Sequence, residues 1–256
     1  MNLIQKGMGS MRKMLSYLRR AIDDYHMISE NDKIAVGISG GKDSLILFQA
    51  MIQLKRFYPI PFELIGITVD LGFDTPLNTS GIMKLAQESN IPYHVIQTQI
   101  KEIVFDVRKE ENPCSLCAKL RKGALMDAAK QMGCNKVALG HNYDDVVETF
   151  FMKLFFEGNI GCFSPVTYLS RMDITQIRPL LFAPEAEIKA TAQRLELPVF
   201  NNPCPADGET KRQEIKELIA VLRKQYPDLK EKVFGGLCRS RISGFTDERT
   251  PRRKSK

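Results

Sequence analysis

The chain has 256 residues, of which 43% are hydrophobic and 26% charged, which is enough for one large domain around a sizeable core. No apolar run approaches the ~18 residues that span a bilayer, and charges interrupt the basic N-terminal stretch, so the composition argues against a membrane anchor or a signal peptide. We therefore expect a cytoplasmic protein. The net charge of +7 is concentrated at the two ends: residues 1–20 and 239–256 each carry +5, and residues 21–238 sum to −3.

The first predicted element is a helix over residues 11–28, where apolar residues recur at helical spacing. We expect its apolar side to dock on the core. Its other side carries Arg12, Arg19 and Arg20 and is compatible with RNA contact. Strand and helix patterns then alternate along the chain. Strands are predicted at residues 33–38, 63–70, 93–97, 136–140 and 174–177, and helices at residues 43–56, 78–89, 115–132, 144–157, 185–195 and 209–225.

Alternation of this kind predicts an α/β fold, with a parallel sheet covered by helices on both faces. We divide the chain into a basic N-terminal helix (1–30), an α/β domain (31–200), a small helical C-terminal part (201–238) and a flexible basic tail (239–256). Ligands of such folds bind beyond the carboxyl ends of the strands. Residues with chemical function are therefore expected at the predicted strand ends.

The strongest motif is the run Ser-Gly-Gly-Lys-Asp-Ser at residues 39–44, between a strand and a helix. Gly40 and Gly41 allow backbone N–H groups to crowd around an oxyanion, and the following helix presents its positive end. Lys42 adds charge, and Ser39 and Ser44 add hydroxyl donors. The run therefore suits a bound pyrophosphate.

Three rival motifs compete for this run. A Walker A loop fails because Val36 and Asp43 occupy required positions, and the G-x-G-x-x-G dinucleotide pattern fails on glycine spacing. The G-x-S-x-G nucleophile elbow does fit residues 37–41 and would make Ser39 a hydrolase nucleophile. That alternative leaves the Lys-Asp-Ser run at residues 42–44 unexplained.

Three of the six cysteines stand in related settings. Cys114 and Cys117 form a Cys-x-x-Cys pair, and the Asn-Pro-Cys run that precedes it recurs at Cys204. Each Asn-Pro-Cys run predicts a turn, fixed by its proline, that is followed by a cysteine. The two runs, together with Cys117, suggest three thiolates at one site. Structural zinc requires four ligands, whereas three thiolates suit an iron–sulfur cluster with an open iron, so spacing alone favours the cluster slightly over zinc. We interpret the other three as structural or incidental: Cys134, Cys162 and Cys238.

The run at residues 39–44 resembles the PP-loop of the N-type ATP pyrophosphatases. The segments 113–125 and 138–149 add a resemblance to the tRNA 2-thiocytidine synthetases, which covers about residues 11–239. The resemblance implies an adenine nucleotide alpha hydrolase-like fold, cleavage of ATP between its α- and β-phosphates, and use of Mg²⁺. It also implies a 4Fe-4S cluster on Cys114, Cys117 and Cys204. By the same resemblance, residues 39–44 hold pyrophosphate, and the strand end Thr68-Val69-Asp70 lies against adenine.

A further motif, Gly140-His141-Asn142-Tyr143-Asp144-Asp145, follows another predicted strand. We expect Gly140, His141 and Asn142 to contact ATP phosphates or ribose. One of Asp144 and Asp145 is expected to hold Mg²⁺ or orient the base, and the other to cap the next helix. The sequence leaves open which aspartate has which role.

These motifs and the resemblance that they carry together imply an ATP-dependent tRNA sulfurtransferase. The oxygen of a tRNA base attacks the α-phosphate, Lys42 and the loop stabilise the leaving pyrophosphate, and sulfur then replaces the adenylated oxygen. Arg121, one turn beyond Cys117, is expected to stabilise charge in this reaction, and an ordinary surface arginine is the alternative. The expected partners are tRNA, a cysteine desulfurase or another sulfide donor, and a second copy in a homodimer.

The sequence departs from the family pattern at one position and leaves two alternative functions open. Cys204 is followed by Pro-Ala-Asp and lacks the second cysteine that the family often has there. A PP-loop ligase or thiolase that acts on another base, of the lysidine or 2-thiouridine type, is one alternative. A non-enzymatic RNA module that binds zinc and nucleotide is the other.

Overall fold

The computed structural model describes residues 3–108, 113–200, 211–240 and 242–245, with side chains described from residue 11 onward. The helices within this part are α1 (Leu3–Asp24), α2 (Lys42–Leu54), α3 (Ser80–Glu88), α4 (Pro113–Gln131), α5 (Tyr143–Glu157), α6 (Glu185–Arg194), α7 (Lys211–Gln225) and α8 (Leu229–Ser240). The strands are β1 (Lys33–Gly37), β2 (Glu63–Asp70), β3 (Tyr93–Gln97), β4 (Lys136–Ala138), β5 (Val166–Leu169) and β6 (Ile174–Ile177). None of the described helices has the length and apolarity needed to cross a bilayer.

Six strands form one sheet in the order β3-β2-β1-β4-β6-β5. All neighbouring pairs are parallel except β5 and β6, which are antiparallel at the edge. The chain moves outward from β1 to β2 and β3, and then returns to place β4 on the other side of β1. The strand order therefore reverses between β1 and β4, which is where α/β sheets form their ligand crevice.

The sheet separates two hydrophobic cores. Along β1, Ile34 and Val36 enter the core formed with α1, α2, α5 and α6, whereas Ala35 enters the core formed with α4. This alternation follows from the two-residue repeat of a strand. The expected fold class, a mostly parallel sheet with helices on both faces, is confirmed.

Helix α1 docks on the larger core as its apolar spacing predicts. Met11, Met14, Leu18 and Ile22 are buried. The arginines at positions 12, 19 and 20 are exposed on the outer side of the helix. The N-terminal part of the chain therefore has one face in the core and one basic face in solvent.

Four described elements were not predicted from the sequence patterns, one of which is a short 3-10 helix at Ile242–Gly244. Strand β5 is four residues long and half exposed, and a π-helical segment spans Glu102–Val107. Helix α8 contains Gly235 and Gly236, which disfavour helix formation, but it buries Phe234 and Leu237. Packing against the core therefore stabilises α8 where intrinsic propensity does not.

The chain beyond residue 238 is partly anchored. Residues 239–256 were expected to form a flexible tail, yet α8 continues to Ser240 and the Phe245 side chain is fully buried. The Phe245 ring lies edge-on to Tyr25 and Phe234. Residues 241 and 246–256 lie outside the described residues.

Candidate active site

The run at residues 39–44, which we call the phosphate loop, follows β1 and has a conformation that requires glycine at position 40. Gly40 has φ +86°, and a Cβ atom there would lie 2.4 Å from the Phe200 ring. The Phe200 N–H also donates to the Gly40 carbonyl at 3.1 Å. The phosphate loop therefore packs against the segment after α6, at Phe200.

The start of α2 is open toward the crevice. Gly41 occupies the N-cap position, and no side chain caps the helix among the described residues. The Ser44 hydroxyl accepts from the Ser39 N–H at 3.1 Å and donates to the Gly41 carbonyl at 2.9 Å. These bonds hold the loop in shape while the first backbone N–H groups of α2 stay available to an anion.

Lys42 lies between two carboxylates. Its Nζ atom is 3.0 Å from Asp43 and 2.8 Å from Glu185, the first residue of α6. Burial lowers the pKa of Lys42, but the bonds to Glu185 and Asp43 outweigh burial, so the pKa is raised and the side chain stays charged. The lysine of the predicted phosphate loop is therefore ion-paired before any nucleotide binds.

The loop after β4 lies directly against the phosphate loop. A Cβ atom on Gly140 would lie 3.0 Å from the Asp43 backbone, so the two loops are in close contact. The Asn142 side-chain amide donates to Asp43 at 2.9 Å. Two predicted site segments thus meet at the crevice between β1 and β4.

Asn142, rather than an aspartate, caps α5. Its side-chain oxygen accepts from the N–H groups of Asp144 at 2.9 Å and Asp145 at 3.1 Å, and the Asp145 carboxylate accepts from the Asn142 N–H. This reciprocal arrangement is a capping box. The expectation that Asp144 or Asp145 is the N-cap was therefore wrong, because the amide one residue before the helix reaches both N–H groups.

The two aspartates face different surroundings. Asp144 accepts from the Glu185 N–H at 2.7 Å and pairs with Lys230, so it links α5, α6 and α8. Asp145 lines the central cavity and pairs with Arg212 at 2.7 Å. Burial raises the pKa of Asp145, although the Asn142 N–H and Arg212 favour its charged form. Of the two, Asp145 is the one positioned to meet a ligand.

Glu148 gives the stability of the protein a dependence on pH. It is buried one helical turn beyond Asp145, 3.7 Å from both Arg212 and Lys216. Burial raises its pKa to about 7 from the ordinary value of 4.5, and the Lys216 charge opposes the shift only in part. Between pH 4.5 and about pH 7, the folded protein therefore keeps a proton on Glu148 that the unfolded chain releases. The contribution of Glu148 to the free energy of unfolding falls as the pH rises through this range.

Glu148→Gln removes this titration. We expect the variant to gain stability relative to the wild type as the pH rises, by roughly 3 kcal/mol between about pH 4.5 and pH 8. Urea unfolding at about pH 5 and about pH 8 measures the change. An equal difference between the two proteins at both pH values would contradict the shifted pKa.

A cavity of about 470 Å³ lies between these loops and α4. Two carboxylates and four cationic side chains line it, so its lining is positively charged. The carboxylates are Asp43 and Asp145, and the cations are Arg121, Lys122, Arg178 and Arg212. Ser39, Ser44, Gly140 and His141 also line it, as predicted site residues. A cavity with this lining suits a phosphorylated ligand.

Arg178 is a functional candidate that sequence reasoning missed. It follows β6, is only 5% exposed, and has no carboxylate partner among the described residues. Its Nη1 atom donates to the Ser164 carbonyl and to the Thr167 hydroxyl, while Nε has no partner in the described part. Burial lowers its pKa to about 10. A signal was present, because Arg178 directly follows a predicted strand, like the other site segments.

His141 contributes a neutral ring to the cavity. Burial lowers its pKa to about 3, and the nearby charges of Arg178 and Arg212 add to this effect. The ring lies 4.9 Å from the Phe163 ring, and its buried Nδ1 atom has no hydrogen-bond partner among the described residues. An uncharged imidazole with an open nitrogen is suited to a hydrogen bond with a nucleotide or a base.

Cys114 lies in the first turn of α4 and Cys117 about one turn later, on the same side of the helix. Cys114 is exposed and Cys117 is half-buried. Ala118 and Arg121, which follow on α4, line the cavity. The third predicted ligand, Cys204, lies outside the described residues. Within the described part, no group of three metal-ligating side chains is present.

The end of β2 divides its residues between two sides of the sheet. Val69 lines the cavity. The Thr68 hydroxyl accepts instead from the Tyr93 hydroxyl at 2.8 Å, and the Asp70 carboxylate accepts from the Gly72 N–H at 3.0 Å. Alternation along the strand accounts for this division. Of the three residues expected to lie against adenine, Val69 is the one whose side chain reaches the cavity.

Comparison with known proteins identifies the family. A model of the PP-loop domain matches residues 12–222. The tRNA-cytidine(32) 2-sulfurtransferase of Pelobacter propionicus is 36% identical over 230 residues, which cover 88% of this chain and 85% of the relative. The enzyme of the same name from Geobacter sulfurreducens is 34% identical over 229 residues, which cover 88% and 89%.

A solved structure is also similar. The U34-tRNA thiolase NcsA from Methanococcus maripaludis, determined with its 4Fe-4S cluster, superposes with a TM-score of 0.72 at 27% identity, covering 88% of this chain and 77% of that chain. The hydrolase alternative for Ser39 is not favoured by any of these relatives. The chain belongs to the PP-loop domain family and, within it, to the family of the tRNA-cytidine(32) 2-sulfurtransferases.

Proposed function

We propose that this protein uses ATP to activate the C2 oxygen of a cytidine in tRNA and replaces that oxygen with sulfur. The observation that carries the proposal is the shared cavity: Ser39 and Ser44 of the phosphate loop line it together with Ala118 and Arg121, which follow the cysteine pair on α4. The names of the relatives favour cytidine thiolation over the lysidine-type ligase and over the non-enzymatic zinc module.

ATP binding follows from the residues around the phosphate loop. The N–H groups at the start of α2, together with Ser39, Ser44 and Lys42, hold the β- and γ-phosphates and stabilise pyrophosphate as it leaves. Gly140, His141 and Asn142 contact the nucleotide from the neighbouring loop, and the strand end at residues 68–70 supports adenine, chiefly through Val69. A bound Mg²⁺ would be held by the carboxylates of Asp43 and Asp145 and would neutralise phosphate charge.

The chemistry at the base requires charge stabilisation. When the cytidine oxygen attacks the α-phosphorus, negative charge develops on the phosphate oxygens, and pyrophosphate departs. Arg121 and Arg178 both line the cavity, from α4 and from the end of β6, and stabilise this charge. Sulfide then bonds to C2 of the adenylated base, and AMP leaves with the oxygen.

Cys114, Cys117 and Cys204 are the proposed ligands of a 4Fe-4S cluster. The two described thiols fit this group, because soft thiolates one turn apart at a helix N-terminus suit iron. The last described residue before Cys204 supports the third, because the Phe200 N–H donates to the Gly40 carbonyl of the phosphate loop. When bound, the cluster would supply an open iron that holds sulfide.

Reconstituted protein tests this function. With ATP, Mg²⁺, unmodified tRNA and sulfide, or a cysteine desulfurase as the donor, we expect 2-thiocytidine and AMP in equal amounts. Mass spectrometry of digested tRNA locates the modified base. AMP formation with lysidine or 2-thiouridine as the product would replace this proposal with one of its alternatives, and a colourless zinc protein that forms no AMP would favour the non-enzymatic module.

A further inference from the structure

A second cavity, of about 850 Å³, lies between the outer face of α1 and the C-terminal end of α2. We call it the α1–α2 groove. Its main polar and aromatic lining residues are Arg12, Arg19, Arg20, Gln53, Arg56 and Phe57. The Phe57 side chain is 54% exposed. None of these residues lines the cavity of the candidate active site, so the groove is a separate feature.

The groove carries an excess of positive charge. Four guanidinium groups face one carboxylate, Asp23, which already accepts a hydrogen bond from Tyr58 at 2.8 Å. Arg19 and Arg20 pair with Asp23 and Asp24 at 3.4 Å, and the Arg20 guanidinium also lies over the Phe182 ring. Arg12 and Arg56 form no ion pair with any described residue. Such an arrangement attracts a polyanion.

Gln53 indicates which chemistry the groove would recognise. Its side chain is only 3% exposed, and neither its amide oxygen nor its amide nitrogen has a partner within the described part of the chain. Buried amides are normally hydrogen-bonded, because leaving them unpaired is costly. A ligand that satisfies both atoms must offer a donor and an acceptor. A phosphate diester offers acceptors alone, whereas a ribose 2′-hydroxyl offers both.

The position of the groove relates it to the active site. Gln53 is ten residues beyond Asp43 on α2, which is about 15 Å along the helix. At the other end of the groove, Lys13 beside Arg12 pairs with Glu187 at 2.7 Å, on the helix whose first residue binds Lys42. A distance of about 15 Å corresponds to between four and five stacked nucleotides.

We propose that the α1–α2 groove binds the ribose–phosphate backbone of the tRNA at a distance from the target base. This proposal rests on the proposed function, because it takes tRNA as the substrate. The arginines contact phosphates, and the Gln53 amide contacts a ribose hydroxyl. A second copy of this chain is a poorer occupant, because self-association through the groove would bring arginine against arginine.

The double variant Arg12→Gln/Arg56→Gln tests the phosphate contacts. We expect it to bind tRNA on the order of tenfold more weakly at about 0.1 M salt, and to reduce the slope of log affinity against log salt by about 2. The matched control, Lys84→Gln/Lys224→Gln, removes the same charge from exposed positions on α3 and α7. Its affinity should stay close to that of the wild type. Equal affinities for the groove variant and the wild type would overturn the proposal.

Gln53→Leu tests the ribose contact. We expect this variant to unfold at a higher temperature, because an unpaired buried amide is removed, and yet to bind tRNA several-fold more weakly. The wild type should prefer RNA over DNA of the same sequence more strongly than the variant does. An unchanged RNA preference would overturn the ribose contact.

Two further readouts distinguish tRNA binding in the groove from thiolation and from self-association. Binding of tRNA is measured without ATP or sulfide. If the wild-type protein binds tRNA but does not thiolate it once ATP and sulfide are supplied, the proposed function is overturned and the groove proposal stands. Light scattering on the same samples reports the oligomeric state. A wild-type dimer that the arginine variant converts into a monomer would assign the groove to an interface between copies and overturn the RNA proposal.

Discussion

Arg178→Met is expected to lower the rate of tRNA thiolation by about 10²- to 10³-fold, which is the usual effect of removing one charge-stabilising donor from an active site. Arg178 is buried at the cavity wall without a carboxylate partner in the described part of the structure, and burial lowers its pKa to about 10. An isolated buried cation is unfavourable until an anion arrives. The developing charge on the α-phosphate supplies that anion.

The controls for this variant separate catalysis from folding. Arg178 also bonds the Ser164 carbonyl, so thermal unfolding of each variant is measured beside single-turnover thiolation. Arg178→Lys retains the charge and should recover part of the rate. Arg171→Met, at an exposed position in the same hairpin, should behave as the wild type. Pyrophosphate should raise the unfolding temperature of the wild type more than that of Arg178→Met. Wild-type rates in Arg178→Met would contradict the assigned role.

Cys117→Ala is expected to reduce thiolation to background and to remove the broad absorbance near ~400 nm of the anaerobically reconstituted protein. The physical reason is that loss of one of three protein ligands leaves an iron without its thiolate. Binding of ATP should be retained, because the phosphate loop stays intact and the Cys117 side chain does not line the cavity. Anaerobic reconstitution, iron analysis and nucleotide-induced thermal stabilisation measure these three properties.

Other cysteines provide the comparison for Cys117→Ala. Cys134→Ala is the matched control, since Cys134 is buried in the core below α4 and burial raises its thiol pKa to about 11. That variant should keep both the absorbance and the activity. Cys204→Ala should behave as Cys117→Ala does. An intact cluster and full thiolation in Cys204→Ala would remove the three-ligand arrangement from the proposed mechanism.

The sequence was sufficient to predict the segments that form the site. Residues 39–44 and 140–145 follow parallel strands, and the carboxyl ends of such strands meet at one edge whatever the rest of the chain does. Their convergence, seen in the bond between Asn142 and Asp43, therefore follows from the fold class. The docked face of α1 was equally predictable, because helical spacing fixes which side chains are buried.

Pairings between distant elements were not predictable. Arg212 comes from α7 and meets Asp145 across 67 positions of sequence, and Glu185 meets Lys42 across 143. No local pattern encodes either contact. The division of Asp144 and Asp145 between a structural link and the cavity likewise depends on where α6 and α8 pack. Strand β5 escaped prediction because it lies half-exposed at the sheet edge, whereas β6, of equal length, is mostly buried and carries isoleucine at both ends.

The pairing of Lys42 with Asp43 and Glu185 has a consequence for selectivity among anions. An incoming ligand must replace two carboxylates that already satisfy the ammonium group. A singly charged ion gains little by this exchange, whereas a triphosphate that also engages the start of α2 gains several contacts at once. We therefore expect the loop to favour a nucleotide over small, singly charged anions.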